Sequence, residues 1–273
     1  MTSPIRRSRS LLIGAALVAL IILGAVVIVG RMGLNYYERH RTFDPTTALD
    51  KQCDDVPSGA QRITLTGSDG VVLGAAILGP SDAEVGLVLR QGASQKICEW
   101  LPWAGRVATE TGARVLLFDR RGRGSSPAEA DLGKEPDDTR IAVDHLLAAG
   151  VSRVALAASS MGNSIMFSAL PDLESAPCAV LAISPVLVSA DANGSVDGSR
   201  LLALPDNVWV TWEEGSAGVA ANATSILARA RTTKGGSSSP HALPVDTDDH
   251  SRQLVLNHPS VQRFFLDAVR SCS

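Results

Sequence analysis

The sequence predicts an α/β fold, a mostly parallel central sheet with helices on both faces, preceded by one membrane-spanning helix. Three observations predict it. From about residue 61 onward, apolar β runs alternate with helix-length amphipathic stretches, the pattern that buries a parallel sheet between two helical layers. The run CAVLAIS at 178–184 is apolar almost throughout, as strands covered on both faces are. Residues 11–30, LLIGAALVALIILGAVVIVG, carry no charge and match the length of a bilayer-spanning helix.

That apolar run divides the 273-residue chain. Arg6, Arg7 and Arg9 precede it and Arg31 follows, so the basic excess places residues 1–10 in the cytoplasm and everything beyond about Asn35 outside. A single-pass signal-anchor is favoured over a cleaved signal, because the run exceeds a usual signal core and no A-x-A site follows. Residues 31–60 are polar, with Pro45, Pro57 and Gly59, and read as a juxtamembrane stalk. The domain is expected over 61–273.

Within it, RITLTGSDGVVLGAAIL reads as a hairpin around Ser68-Asp69-Gly70. Strands follow at 85–90, 114–119, 153–158, 178–184 and 207–212, with helices near 98–112, 137–149, 217–231 and 259–271. Gly150 is placed to end the second of these helices. The segment between the last two strands has room for a loop with one short helix, so no large cap domain is expected.

The formal charge of −3 leaves no extended basic face for nucleic-acid phosphates, so that class of partner is excluded. Cys53, Cys98, Cys178 and Cys272 all fall on the expected outer side, where disulfides persist. Their spacing fits no CxxC metal pattern. Of three possible connectivities, Cys53–Cys98 with Cys178–Cys272 is favoured.

Ligand sites in such sheets lie at the carboxyl ends of the strands, which directs attention to the loops there. Ser160, in Ala158-Ser159-Ser160-Met161-Gly162, sits where a strand turns into a helix, so its hydroxyl projects above the sheet. A serine hydroxyl needs a base, and His250 in DTDDHS is the candidate. An acid must orient that imidazole; Glu214 or Glu213 after the 207–212 strand is expected, with Asp191 as fallback.

Taken together, Gln91-Gly92-Ala93, FDRRGRGSS at 118–126, SSMGNS at 159–164 and DHS at 249–251 resemble the α/β-hydrolase family across most of 61–269. The most family-specific stretch, D-x-R-G-x-G-x-S, is met by Asp119, Arg121, Gly122, Gly124 and Ser126. The family's chain order, nucleophile then acid then histidine, is that of Ser160, Glu213 or Glu214, and His250. The resemblance implies an oxyanion hole from the backbone NH of Met161 with that of Gly92 or Ala93. It implies a small-molecule acyl substrate and neither metal nor organic cofactor. The cysteine positions and Cys98-Glu99-Trp100 are similar to membrane-associated hydrolases of high-GC bacteria. Three positions depart from the family: Arg90-Gln91-Gly92 replaces a His-Gly, Ala158 replaces the first elbow glycine, and Ser216 stands where an aspartate is usual.

Overall fold

A computed structural model describes residues 23–32, 41–232 and 239–273. Residues 23–32 are helical, with Val26, Ile28 and Val29 exposed. The first twelve residues of the expected span, 11–22, lie outside the described residues. Among the described residues no helix is long and apolar enough to cross a membrane.

Residues 42–273 form one compact unit. Its strands β1 (Gln61–Thr66), β2 (Val72–Leu78), β3 (Val85–Arg90), β4 (Arg114–Phe118), β5 (Arg153–Ser159), β6 (Ala179–Ile183), β9 (Val208–Glu213) and β10 (His241–Val245) make one sheet of order β1-β2-β4-β3-β5-β6-β9-β10. The pairs β1–β2 and β2–β4 are antiparallel; the other five pairs are parallel. The expected hairpin is present, with Thr66 opposite Val72 and Gly70 at φ 80° in its turn.

Strand pleating sorts alternate residues to the two faces. Leu87, Leu89, Val115, Leu117, Ala155 and Ala157 join one apolar layer with α2 (Ile97–Thr111), α6 (Arg252–Asn257) and α7 (Pro259–Arg270). Val88, Leu116, Phe118, Leu156 and Ala158 join the other, with α3 (Glu135–Ala148), α4 (Gly162–Ala169) and α5 (Ala217–Thr232). Because the central strands are covered on both sides, their sequences read as continuous apolar runs rather than alternating ones.

Two expectations need correction. The segment between β6 and β9 holds no short α-helix; it forms a two-stranded hairpin, β7 (Val188–Asp191) with β8 (Gly194–Asp197), that lays buried Val196 against Ile165 of α4. Its strands are too short and polar to stand out by periodicity. Residues 42–60, expected to end a stalk, pack on the domain instead. Within them the short helix α1 (Leu49–Gln52) buries Leu49, and Cys53 is 5% exposed. Phe43 NH donates to Gly124 O at 2.7 Å, and Cys53 is bonded to Cys98 at the start of α2. The second disulfide joins Cys178, before β6, to Cys272, after α7. Both bonds carry the favoured pairing, and every cysteine is used.

Candidate active site

Ser160 occupies the turn between β5 and α4 at φ 52°, a left-handed conformation unusual for a side chain larger than glycine. The surroundings hold it there. Ser160 NH donates to Ile183 O at 2.9 Å, and Asn163 Nδ2 donates to Ser160 O and Ile183 O, both at 3.0 Å. Gly162 is required for a different reason. A Cβ there would stand 2.7 Å from Arg90 O and 2.8 Å from Gln91 O, so any side chain would push the elbow off β3.

His250 reaches this turn from the loop before α6. Its Nε2 lies 2.9 Å from Ser160 Oγ, and its Nδ1 lies 2.5 Å from Glu213 Oε1. Glu213 is the last residue of β9, with its side chain 2% exposed. Its second oxygen accepts the Ser184 hydroxyl at 2.6 Å. Burial alone would push this carboxyl up, but the bonds from His250 and Ser184 outweigh it and hold the group below the ordinary glutamate value. Serine, imidazole and carboxylate thus form one continuous chain, the geometry that general-base activation of a hydroxyl requires.

The other acid candidates are elsewhere. Glu214 is exposed, and its NH pairs with Val245 O of β10, because successive strand residues face opposite ways. Asp191 ends the exposed β7 and accepts the Asn193 NH. Ser216 accepts the Ala220 NH at the start of α5. Ser159 is buried beneath the site, its Oγ 2.6 Å from Ser251 Oγ.

Behind the triad runs a layer of neutral polar groups. Ser251, at φ 60°, donates its NH to Ser184 Oγ at 2.8 Å and accepts from Gln95 Nε2 at 3.0 Å. Gln95 Oε1 in turn accepts from Gly92 NH at 2.9 Å and from Trp100 Nε1 at 2.8 Å. Gly92 NH is therefore engaged. Among the described residues, the amides of Ala93 and Met161 donate to no other group. Sequence reasoning missed Ser184, Ser251 and Gln95 as site residues. Ser184 and Ser251 carried a faint signal, one ending an apolar strand and the other following the histidine.

The loop 119–126 lies beside the 91–97 segment and is organised by Asp119. Asp119 Oδ2 accepts from Ser125 NH and Oγ and from Gln52 Nε2, while Oδ1 accepts from Ile97 NH. Gly124, at φ 46°, passes so close that a Cβ would fall 2.1 Å from that carboxylate. Arg121 bonds Asp138 and Asp69 and holds Asp69 down to about 2.

Sheet order, elbow and helix placement decide the architecture. The fold is that of the α/β hydrolases. Solved structures with the same fold include an esterase of Pyrococcus furiosus, PF2001, at 13% identity and TM-score 0.61, covering 77% of this chain and 91% of that one. XC6422 of Xanthomonas campestris, described as an α/β serine hydrolase without a lid, shares 21% identity at TM-score 0.58 over 78% and 96%. A hormone-sensitive lipase from a metagenome library matches at 14% and 0.58 over 89% and 97%. No protein-family model matches the chain, and no curated protein matches it in sequence.

Proposed function

We propose that this α/β-hydrolase domain is a serine hydrolase that cleaves a carboxylic ester or similar acyl bond through an acyl-serine intermediate. The unbroken Ser160–His250–Glu213 chain carries the reading. Ser160 Oγ attacks the substrate carbonyl carbon while its proton passes to His250 Nε2, and Glu213 stabilises the imidazolium. Met161 NH and Ala93 NH stabilise the oxygen that gains negative charge; Gly92 NH, held by Gln95, is left out. Collapse breaks the bond to the leaving alcohol, which takes the proton from His250. Water then attacks the acyl carbon as His250 takes its proton, and collapse breaks the bond to Ser160 Oγ, which receives that proton from His250 as the acid leaves. The absence of a cap among the described residues fits an open site that discriminates poorly among small esters.

The domain is further proposed to sit outside the cell membrane, anchored through residues 11–30, a reading supported by the uncharged apolar run and the arginine excess before it. Two disulfides are consistent with an oxidising compartment. Protease added to intact cells is expected to remove the domain; protection until the membrane is broken overturns this orientation.

The rival reading is an envelope binding module that has lost catalysis. It requires His250 without an acid, and Glu213 at 2.5 Å disfavours it. A fluorophosphonate probe and p-nitrophenyl acetate test the choice. The wild type is expected to label and turn over, and Ser160→Ala to lose both by about 10⁴-fold or more, while Ser159→Ala keeps most activity. A wild type that does neither, beside a control hydrolase that does, overturns the hydrolase reading and supports the non-catalytic one.

A further inference from the structure

Beneath the oxyanion loop lies a group of buried ions that the hydrolytic reaction does not use directly. Arg90, 0% exposed, ends β3 immediately before the loop; Arg120, 5% exposed, lies after β4; Glu135, 1% exposed, begins α3. Glu135 accepts from Arg90 Nη2 at 2.8 Å and from Arg120 Nε at 2.8 and 2.7 Å, with Arg120 Nη2 at 2.6 Å. One carboxylate thus serves two guanidiniums. The neighbouring Asp138 is taken by Arg121.

Glu135 is shared by two guanidiniums while Asp138 and Asp69 share Arg121, so the three arginines and three carboxylates balance in charge, in a place where burial penalises each ion. Arg90 reaches Glu135 through Nη2 alone, and its guanidinium also stands 4.3 Å from the centre of the Phe118 ring. Arg120 reaches Glu135 through Nε and Nη2. Its donor not aimed at Glu135, Nη1, goes to a single group, the carbonyl of Ala93, at 2.8 Å.

We infer that Arg120 is a positioning residue for the oxyanion donor. The inference rests on the hydrolase reading above. Ala93 NH belongs to a planar peptide whose other end, Gly92 O, is held by Gln95 NH at 3.2 Å. The next peptide is held by Arg120 at Ala93 O. With both flanking carbonyls tied, rotation about either bond of Ala93 is blocked, and its NH keeps one direction although the residue is exposed. Glu135 grips Arg120 through two oxygens, so the guanidinium fork is fixed before substrate arrives. Such preorganised donors act where charge develops, so their loss falls on the transition state more than on substrate binding.

The test compares wild type with Arg120→Met and Arg120→Lys on p-nitrophenyl acetate, with phenylboronic acid as the tetrahedral mimic. Arg120→Met removes the tie to Ala93 together with the bonds from Arg120 to Glu135, which keeps Arg90 as its partner, so melting temperature is read alongside the kinetics. It is expected to lower kcat about 100-fold with KM within about threefold, and to weaken phenylboronic acid by a similar factor. Arg120→Lys, which keeps one movable donor, recovers part of kcat. The acid limb of the pH–rate profile stays where it is, since the triad is untouched. A kcat within about threefold of wild type in Arg120→Met, or a loss confined to KM and melting temperature, overturns the inference and leaves the hydrolase reading standing. If Arg120→Met does not fold, Arg120→Lys is judged by the same split between kcat and KM. Absence of Ser160-dependent turnover in the wild type overturns both.

Discussion

The two halves of the site are held by different physics. On the triad side the supports are neutral: Ser159, Ser184, Ser251, Asn163 and Gln95, with Glu213 as the one buried charge. Three residues there, Ser160, Ser184 and Ser251, hold left-handed backbone conformations. On the oxyanion side the supports are ions, Arg90, Arg120, Arg121, Asp119, Glu135 and Asp138, none more than 5% exposed. One side stores its cost in backbone strain, the other in desolvation. Strain fixes a single atom such as Ser160 Oγ. Buried ion pairs fix a loop that has little core of its own.

This contrast can be broken at several points. The largest effect is expected at the single charge of the neutral side. Glu213→Gln should lower kcat by roughly 10³- to 10⁴-fold, because the amide no longer stabilises the imidazolium. Glu214→Gln should leave kcat within about twofold. Equal losses from both would return the acid to dispute.

Stability should divide the two sides next. Glu135→Ala strands two buried guanidiniums and is expected to cost about 3–5 kcal/mol in urea unfolding. Ser251→Ala removes neutral hydrogen bonds and should cost only about 1–2 kcal/mol. Comparable costs would mean that the ionic side is no more desolvated than the hydroxyl layer.

The smallest effect is in pH. Since Glu213 is held below its ordinary value in the folded protein, its contribution is complete above about pH 4.3 and disappears as pH falls through the lowered folded value. The melting-temperature difference between wild type and Glu213→Gln should therefore shrink in acid. A gap that widens below pH 4 would reverse the assigned direction.

Legibility follows the same division. Sheet and helices were readable because β3, β5 and β6 are covered on both faces and so repeat apolar residues without interruption. Ser160 and His250 were readable because an elbow needs small neighbours and a base needs an imidazole. The choice between Glu213 and Glu214 was not, since adjacent strand residues differ only in the face they take, and the strand's last register decides that. Arg120 was hidden most completely. It occupies the variable position of the D-x-R-G-x-G-x-S stretch, and its meaning depends on Ala93 and Glu135, 27 and 15 residues away in sequence. The hairpin β7–β8 escaped because four-residue strands rich in Ser, Asp and Gly carry no periodic signal.

The packed segment before β1 bears on where the folded unit can be trimmed. A shortened protein beginning at Gln61, where the first strand starts, would lose Cys53 and Gln52. Cys98 would then be left as an unpaired thiol at the head of α2, open to cross-linking between molecules, and Asp119 would lack one of its four donors. One beginning at Arg41 keeps Leu49, Gln52 and Cys53 and should purify as a monodisperse species on non-reducing gels, whereas the Gln61 version is expected to yield disulfide-linked dimers.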